Sequence, residues 1–72
     1  MKTSSQKIEN YLKDFLQSEP AISKKETDKV AEDILIMLKE YLSDNTLNRI
    51  SDIMSPAVAK VLLLDYHLTF KG

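Results

Sequence analysis

The sequence predicts an all-α fold, a small bundle of three longer helices plus one short helix. Two observations predict it. Glycine occurs once in 72 residues, at the last position, and proline occurs twice, so the chain contains few residues that interrupt helices. Apolar residues also recur at helical spacing over most of the length. We expect a single domain over 1–72, with frayed ends at 1–4 and 70–72, because this length is below that of a typical single domain.

The first helix is predicted over 5–18. Ser4 or Ser5 is expected to cap its start, since a hydroxyl can accept a hydrogen bond from the free N–H groups there. Pro20 disfavours helical geometry in the residue before it and ends the helix. One apolar stripe runs along this helix, made of Ile8, Tyr11, Leu12, Phe15 and Leu16.

The second helix is predicted over 24–43, with Ser23 and Glu26 forming a capping box at its start. Leu35 and Ile36 interrupt the face that would otherwise be polar. A helix that is apolar around most of its circumference is usually buried from several sides. Its inner stripe contains Val30, Ile34, Met37, Leu38, Tyr41 and Leu42.

The short third helix is predicted over 46–54, after a break at 43–45, and the fourth over 56–68. Ser55 is a good N-cap, and Pro56 at the first helical position loses no needed hydrogen bond. The fourth helix is the most apolar of the four. We therefore expect it to be either the centre of the bundle or part of an interface.

Composition argues against most kinds of site chemistry. The net charge is −1, cysteine is absent and His67 is the single histidine, so neither a cysteine-based zinc site nor a disulfide framework is available. A glycine-free interior also lacks the phosphate loops of nucleotide-binding proteins. We expect no enzymatic activity, cofactor, metal or small-molecule substrate. The polar N-terminal sequence and the short apolar runs favour a cytoplasmic location and no membrane span.

Two weak candidate sites are better explained structurally. The helical neighbours of His67 one turn back are Leu63 and Leu64, so no carboxylate orients its ring. We expect a partly exposed histidine near a helix C-terminus, where the helix dipole favours its charge. The second candidate is a metal site made of three polar side chains at i, i+4 and i+8, Asp44, Asn48 and Asp52. These side chains would share one helix face, but the sequence there lacks the glycine turn of a calcium loop.

A small basic patch at the start of the second helix leaves one alternative function open. Lys24, Lys25 and Lys29 could support a nucleic-acid-associated regulator. Acidic residues alternate with these lysines, whereas phosphate binding needs a patch of one sign. Nucleic acid is therefore not the expected partner.

The observation that points to a function is a surplus of apolar residues. At ~25 cal/mol per Å² of apolar area, burial contributes on the order of 110 kcal/mol. Ordering the chain at ~1.5 kcal/mol per residue costs about the same, so a partner would add useful stability. We expect a non-enzymatic interaction module that acts as a regulator or as an inhibitor or immunity-type partner. Its partner would be itself, as a homodimer, or another protein. The predicted anchors are Leu35, Ile36, Leu62, Leu63, Tyr66 and Phe70.

The stretch 30–56 also resembles a bacterial family of helical domains of unknown function. The shared features are a striped long helix, a Leu-Ser turn, a short helix and a break marked by proline. A Leu-Pro break is usual in that family, whereas this sequence has Met54-Ser55-Pro56. The resemblance implies a compact helical fold and no particular activity. The other matching residues are Val30, Ile34, Leu38, Leu42, Ser43, Ile50 and Ile53.

Overall fold

The computed structural model, which describes residues 3–20 and 22–71, confirms the all-α prediction and contains no strand within those residues. A π-helical turn, His67–Lys71, extends the last helix. Four α-helices precede it: α1 Ser4–Gln17, α2 Thr27–Tyr41, α3 Asp44–Asp52 and α4 Pro56–Tyr66.

Each of three helices begins at a hydroxyl side chain that caps it. The Oγ1 of Thr3, one residue earlier than predicted, accepts a hydrogen bond from the N–H of Gln6 at 3.1 Å. Ser43 accepts from the N–H of Thr46 at 3.3 Å, so α3 begins two residues earlier than predicted. Ser55 caps α4 as expected.

The predicted capping box at Ser23 is wrong, and α2 begins three residues later than expected. The carbonyl oxygen of Ser23, rather than its hydroxyl, accepts hydrogen bonds from the N–H of Glu26 at 3.0 Å and from the Oγ1 of Thr27 at 3.4 Å. Residues 24–26 therefore form a turn. The Thr27 side chain is 2% exposed, and its bond to Ser23 satisfies the hydroxyl. At the other end the backbone of Leu42 is extended, so α2 ends at Tyr41 and does not reach the predicted end at 43.

The ends that were expected to fray, 1–4 and 70–72, are in part helical. Thr3 caps α1, Ser4 is its first residue, and Phe70 and Lys71 belong to the π-helical turn. The remaining positions of that prediction, 1, 2 and 72, lie outside the described residues. The radius of gyration is 11.4 Å, close to the ~11 Å expected for a compact chain of this length.

The centre of the bundle is the pair α1 and α2, and α3 and α4 each pack against both of these helices. Of the two expectations for the apolar fourth helix, the central position in the bundle is wrong, since α4 is an outer helix. Among the described residues, α3 and α4 do not pack against each other. The outer helices complete the core, α3 through Leu47 and α4 through Ala59, Leu62 and Tyr66. The buried apolar members of the core are Ile8, Leu12, Leu16, Val30, Ala31, Ile34, Leu35, Met37, Leu38, Leu47, Ala59, Leu62 and Tyr66.

Candidate interaction surface

Half of the predicted interaction anchors lie in the core. Leu35, Leu62 and Tyr66 are 7%, 8% and 6% exposed, so the expectation that they form a free apolar surface is wrong. Leu63 is half-buried and packs against the same core. Two of the predicted anchors remain open to solvent, Ile36 on α2 and Phe70 in the π-helical turn.

The orientation of α4 explains this burial. Ala59, Leu62 and Tyr66 are spaced i, i+3 and i+7, so they lie on one side of the helix and face α1 and α2. A polar contact supports the same orientation, because the hydroxyl of Tyr66 donates to the Oδ2 of Asp33 on α2 at 3.3 Å. Burial raises the pKa of Tyr66, and the nearby Asp33 carboxylate raises it further.

The opposite side of α4 is apolar and exposed, and the anchor prediction missed it. Val61, Leu64 and Leu68 are 64%, 60% and 68% exposed. Together with the exposed Ala57, they form the α4 stripe, whose last member, Leu68, lies just past α4 in the π-helical turn. The sequence carries a signal for this face, since the stripe lies between two charged residues that must reach water, Lys60 and Asp65.

Phe70 lies beyond the α4 stripe and contacts the inward side of the helix. Its ring packs against that of Tyr66, with ring centroids 5.1 Å apart and planes inclined by 40°. Tilted aromatic pairs at this separation are favourable. Other large apolar side chains are exposed on other elements, at Tyr41 and Ile53. Scattered exposed apolar residues of this kind are normal on protein surfaces.

The lysines of the alternative basic patch are divided between two environments. Lys24 and Lys25 are exposed in the turn before α2, rather than on the helix as predicted. Lys29 lies on α2 and pairs with Asp33 at 3.0 Å, and the hydrogen bond from its ammonium group raises the pKa of Lys29. One of the three charges is therefore balanced within the chain.

The two weak candidate sites have local structural roles. His67 is half-buried at the end of α4, with its ring centroid 5.6 Å from that of Tyr66. Asn48 accepts a hydrogen bond from the hydroxyl of Ser4, which joins α3 to the start of α1. Within 3–20 and 22–71, no three His, Asp or Glu side chains come together as they would around a metal ion.

The open cavities on the surface of the described residues include a larger and a smaller one. The larger, of about 650 Å³, lies between the N-terminal ends of α1 and α3, and the capping residue Thr3 is part of its lining. The smaller, of about 300 Å³, lies beside Tyr11 and Phe15 on α1 and Pro56 at the start of α4. Neither lining includes a histidine, and the carboxylates in the two linings are those of Asp44 and Asp14.

Comparisons of the chain with family models, with curated proteins and with solved structures find no match. The resemblance of 30–56 to a helical domain family is thus not supported by a family match. Of the helices in the described part of the chain, none has the length and apolar character needed to cross a bilayer.

Proposed function

We propose that the protein is a non-enzymatic interaction module that binds its partner through the α4 stripe. The observation that carries the proposal is the exposure of Val61 and Leu64 on one face of α4, followed by Leu68 in the π-helical turn. Each of the three side chains is 60% or more exposed. Apolar patches rimmed by polar residues mark association sites, and Lys60 and Asp65 form such a rim. An apolar helix face is a common means of docking to another helix or to a groove.

The exposed area is enough for a useful but modest affinity. Full burial of one large aliphatic side chain contributes about 1.5–3 kcal/mol, so covering the exposed part of each stripe residue contributes about 1–2 kcal/mol. Association costs an estimated 4–15 kcal/mol in lost freedom. A partner that brings a comparable apolar face of its own can offset this cost, so we expect a reversible complex.

A role as a regulator or as an inhibitor or immunity-type partner is the biological form of the proposal. Such proteins act by occupying a surface of another protein, which an apolar helix face allows. A cytoplasmic location is also proposed, because small domains of oxidising compartments commonly rely on disulfides and this sequence has no cysteine.

Site-specific photo-crosslinking in the native host tests the proposal. A photoreactive phenylalanine analogue replaces Leu64 in the full chain, and the matched control carries the same analogue at the exposed Asn10 of α1. We expect a covalent protein adduct of discrete mass from position 64 and none from position 10. Failure to form an adduct at 64, or equal labelling at both positions, would contradict docking through the α4 stripe.

A further inference from the structure

The spacing of the α4 stripe is that of a two-stranded coiled-coil seam. Its α-helical residues, Ala57, Val61 and Leu64, are separated by four and three positions, which are d, a and d positions of a heptad, and Leu68 follows in the π-helical turn. The central a position is the β-branched Val61 and the central d position is Leu64. In a parallel coiled coil, this combination favours two strands over three or four.

The charges that flank the seam are unpaired within the described chain. Lys60 and Asp65 are both exposed, and none of the ion pairs formed by the described side chains involves either of them. Lys60 and Asp65 are five residues apart, which corresponds to a rotation of about 140° around the helix. The two side chains therefore lie on opposite edges of the stripe and cannot reach each other. Each is therefore available to a charge on a second helix.

These two charges distinguish between the possible orientations of a second copy. In a parallel two-fold pairing, Lys60 at a g position lies beside Asp65 of the second copy at the following e position, and the symmetry repeats this pair. In an antiparallel two-fold pairing, each edge of the stripe meets the same edge of the other copy. The two Lys60 side chains would then share one edge and the two Asp65 side chains the other, which brings like charges together on both edges.

We propose that a second copy of this chain covers the α4 stripe, with the two α4 helices parallel and two pairs of Lys60 with Asp65 across the seam. The inference rests on the proposed function and names the partner of the same surface. The α-helical part of the seam, from Ala57 to Leu64, is only about one heptad long, shorter than most independent coiled coils, so the dimer is weak and forms at high concentration.

Sedimentation velocity from about 10 μM to about 1 mM measures the dimer in the range where a weak complex forms. We expect a concentration-dependent shift from monomer to dimer for the unmodified chain. The double variant Val61→Gln, Leu64→Gln retains good helix formers at both sites and should stay helical by circular dichroism. Its dissociation constant should rise by about a hundredfold or more, since four apolar side chains leave the seam.

Charge reversal tests the parallel orientation. Lys60→Glu places a carboxylate beside Asp65 of the second copy, so the dissociation constant should rise by about tenfold. The swap Lys60→Glu, Asp65→Lys restores both pairs and should return the constant to within about twofold of the unmodified chain. In an antiparallel dimer, Lys60→Glu replaces one repulsion by another and would leave the constant unchanged, which would overturn the proposed orientation.

A single engineered cysteine gives an independent measure, because the chain has no cysteine of its own. The parallel register brings Ala57 of the two copies together at a d position, within the Cα separation of about 4.4–6.8 Å that a disulfide requires. Ala57→Cys should therefore oxidise to a covalent dimer much faster than the exposed control Asn10→Cys. Equal rates for the two variants would overturn the parallel register.

The outcomes separate this inference from the proposed function. A chain that stays monomeric to about 1 mM overturns the inference. If position 64 then crosslinks a different protein in the native host, the α4 stripe is still a docking surface and only the second copy is wrong. An adduct of twice the chain mass at that position supports both proposals.

Discussion

Replacing Leu62 and Leu64 by alanine, one at a time, compares the two faces of α4 with the same chemical change on the same helix. Leu62 is 8% exposed and Leu64 is 60% exposed. Shortening leucine to alanine removes about three carbon groups, and at ~0.8 kcal/mol for each the transfer contribution is about 2.4 kcal/mol when the side chain is fully buried.

The structure predicts a large difference between the two variants. At Leu62 nearly the whole transfer contribution is lost and a cavity is left between α4 and the central helices, so we expect a loss of about 3 kcal/mol. At Leu64 only about two-fifths of the side chain is covered, so the loss is about 1 kcal/mol or less. The better helix propensity of alanine reduces it slightly further.

Urea unfolding followed by circular dichroism measures both values, at a protein concentration low enough to keep the chain monomeric. A chain of this length has a free energy of unfolding of about 4–11 kcal/mol, so both midpoint shifts are measurable, and that of Leu62→Ala should be about three times that of Leu64→Ala. Equal losses for the two variants, or a larger loss at Leu64, would refute the assigned orientation of α4.

Three further perturbations follow from the same structure. Burial and Asp33 raise the pKa of Tyr66, so as the pH rises the unfolded chain loses the phenol proton before the folded chain does. Ionisation of Tyr66 therefore leaves the free energy of unfolding unchanged below about pH 10 and lowers it above that pH. In urea unfolding at increasing alkaline pH, the free energy of unfolding should fall less for Tyr66→Phe than for the unmodified chain. The control Tyr41→Phe, at a site that is 72% exposed, should behave like the unmodified chain. Ser55→Ala removes the cap of α4 and should cost about 1 kcal/mol by the same assay; an unchanged midpoint would contradict the capping role. A labelled oligonucleotide should show no binding by fluorescence anisotropy at low salt, whereas binding that weakens steeply with salt and is lost when Lys24 and Lys25 are changed to glutamate would support the nucleic-acid alternative.

The fold was largely predictable because its helices have strong local signals. The scarcity of glycine, the apolar stripe of α1 and the Ser55-Pro56 start of α4 each act through nearby residues, and the structure confirms the helices they predict. The start of α2 was not predictable in this way. Ser23 and Glu26 match a capping box, but Thr27 is drawn into the core, and its hydroxyl bonds to the Ser23 carbonyl instead.

The candidate surface was only partly predictable. A surplus of apolar residues on the last helix was visible in the sequence, but the predicted anchors included Leu62 and Tyr66, which are buried, and omitted Leu64, which is exposed. The charges at Lys60 and Asp65 were a better guide than the number of leucines. Both side chains need water, and the arc of the helix between them faces away from the core.

The sequence by itself determined that this protein is a set of short helices with more apolar surface than a small core needs. Only the tertiary structure decided which apolar residues are spare. The physical reason lies in α4, whose apolar residues lie on nearly every side of the helix, so only Lys60 and Asp65 mark its outward side in the sequence. Packing against α1 and α2 and the bond from Tyr66 to Asp33 set its rotation, and that rotation leaves the α4 stripe facing solvent.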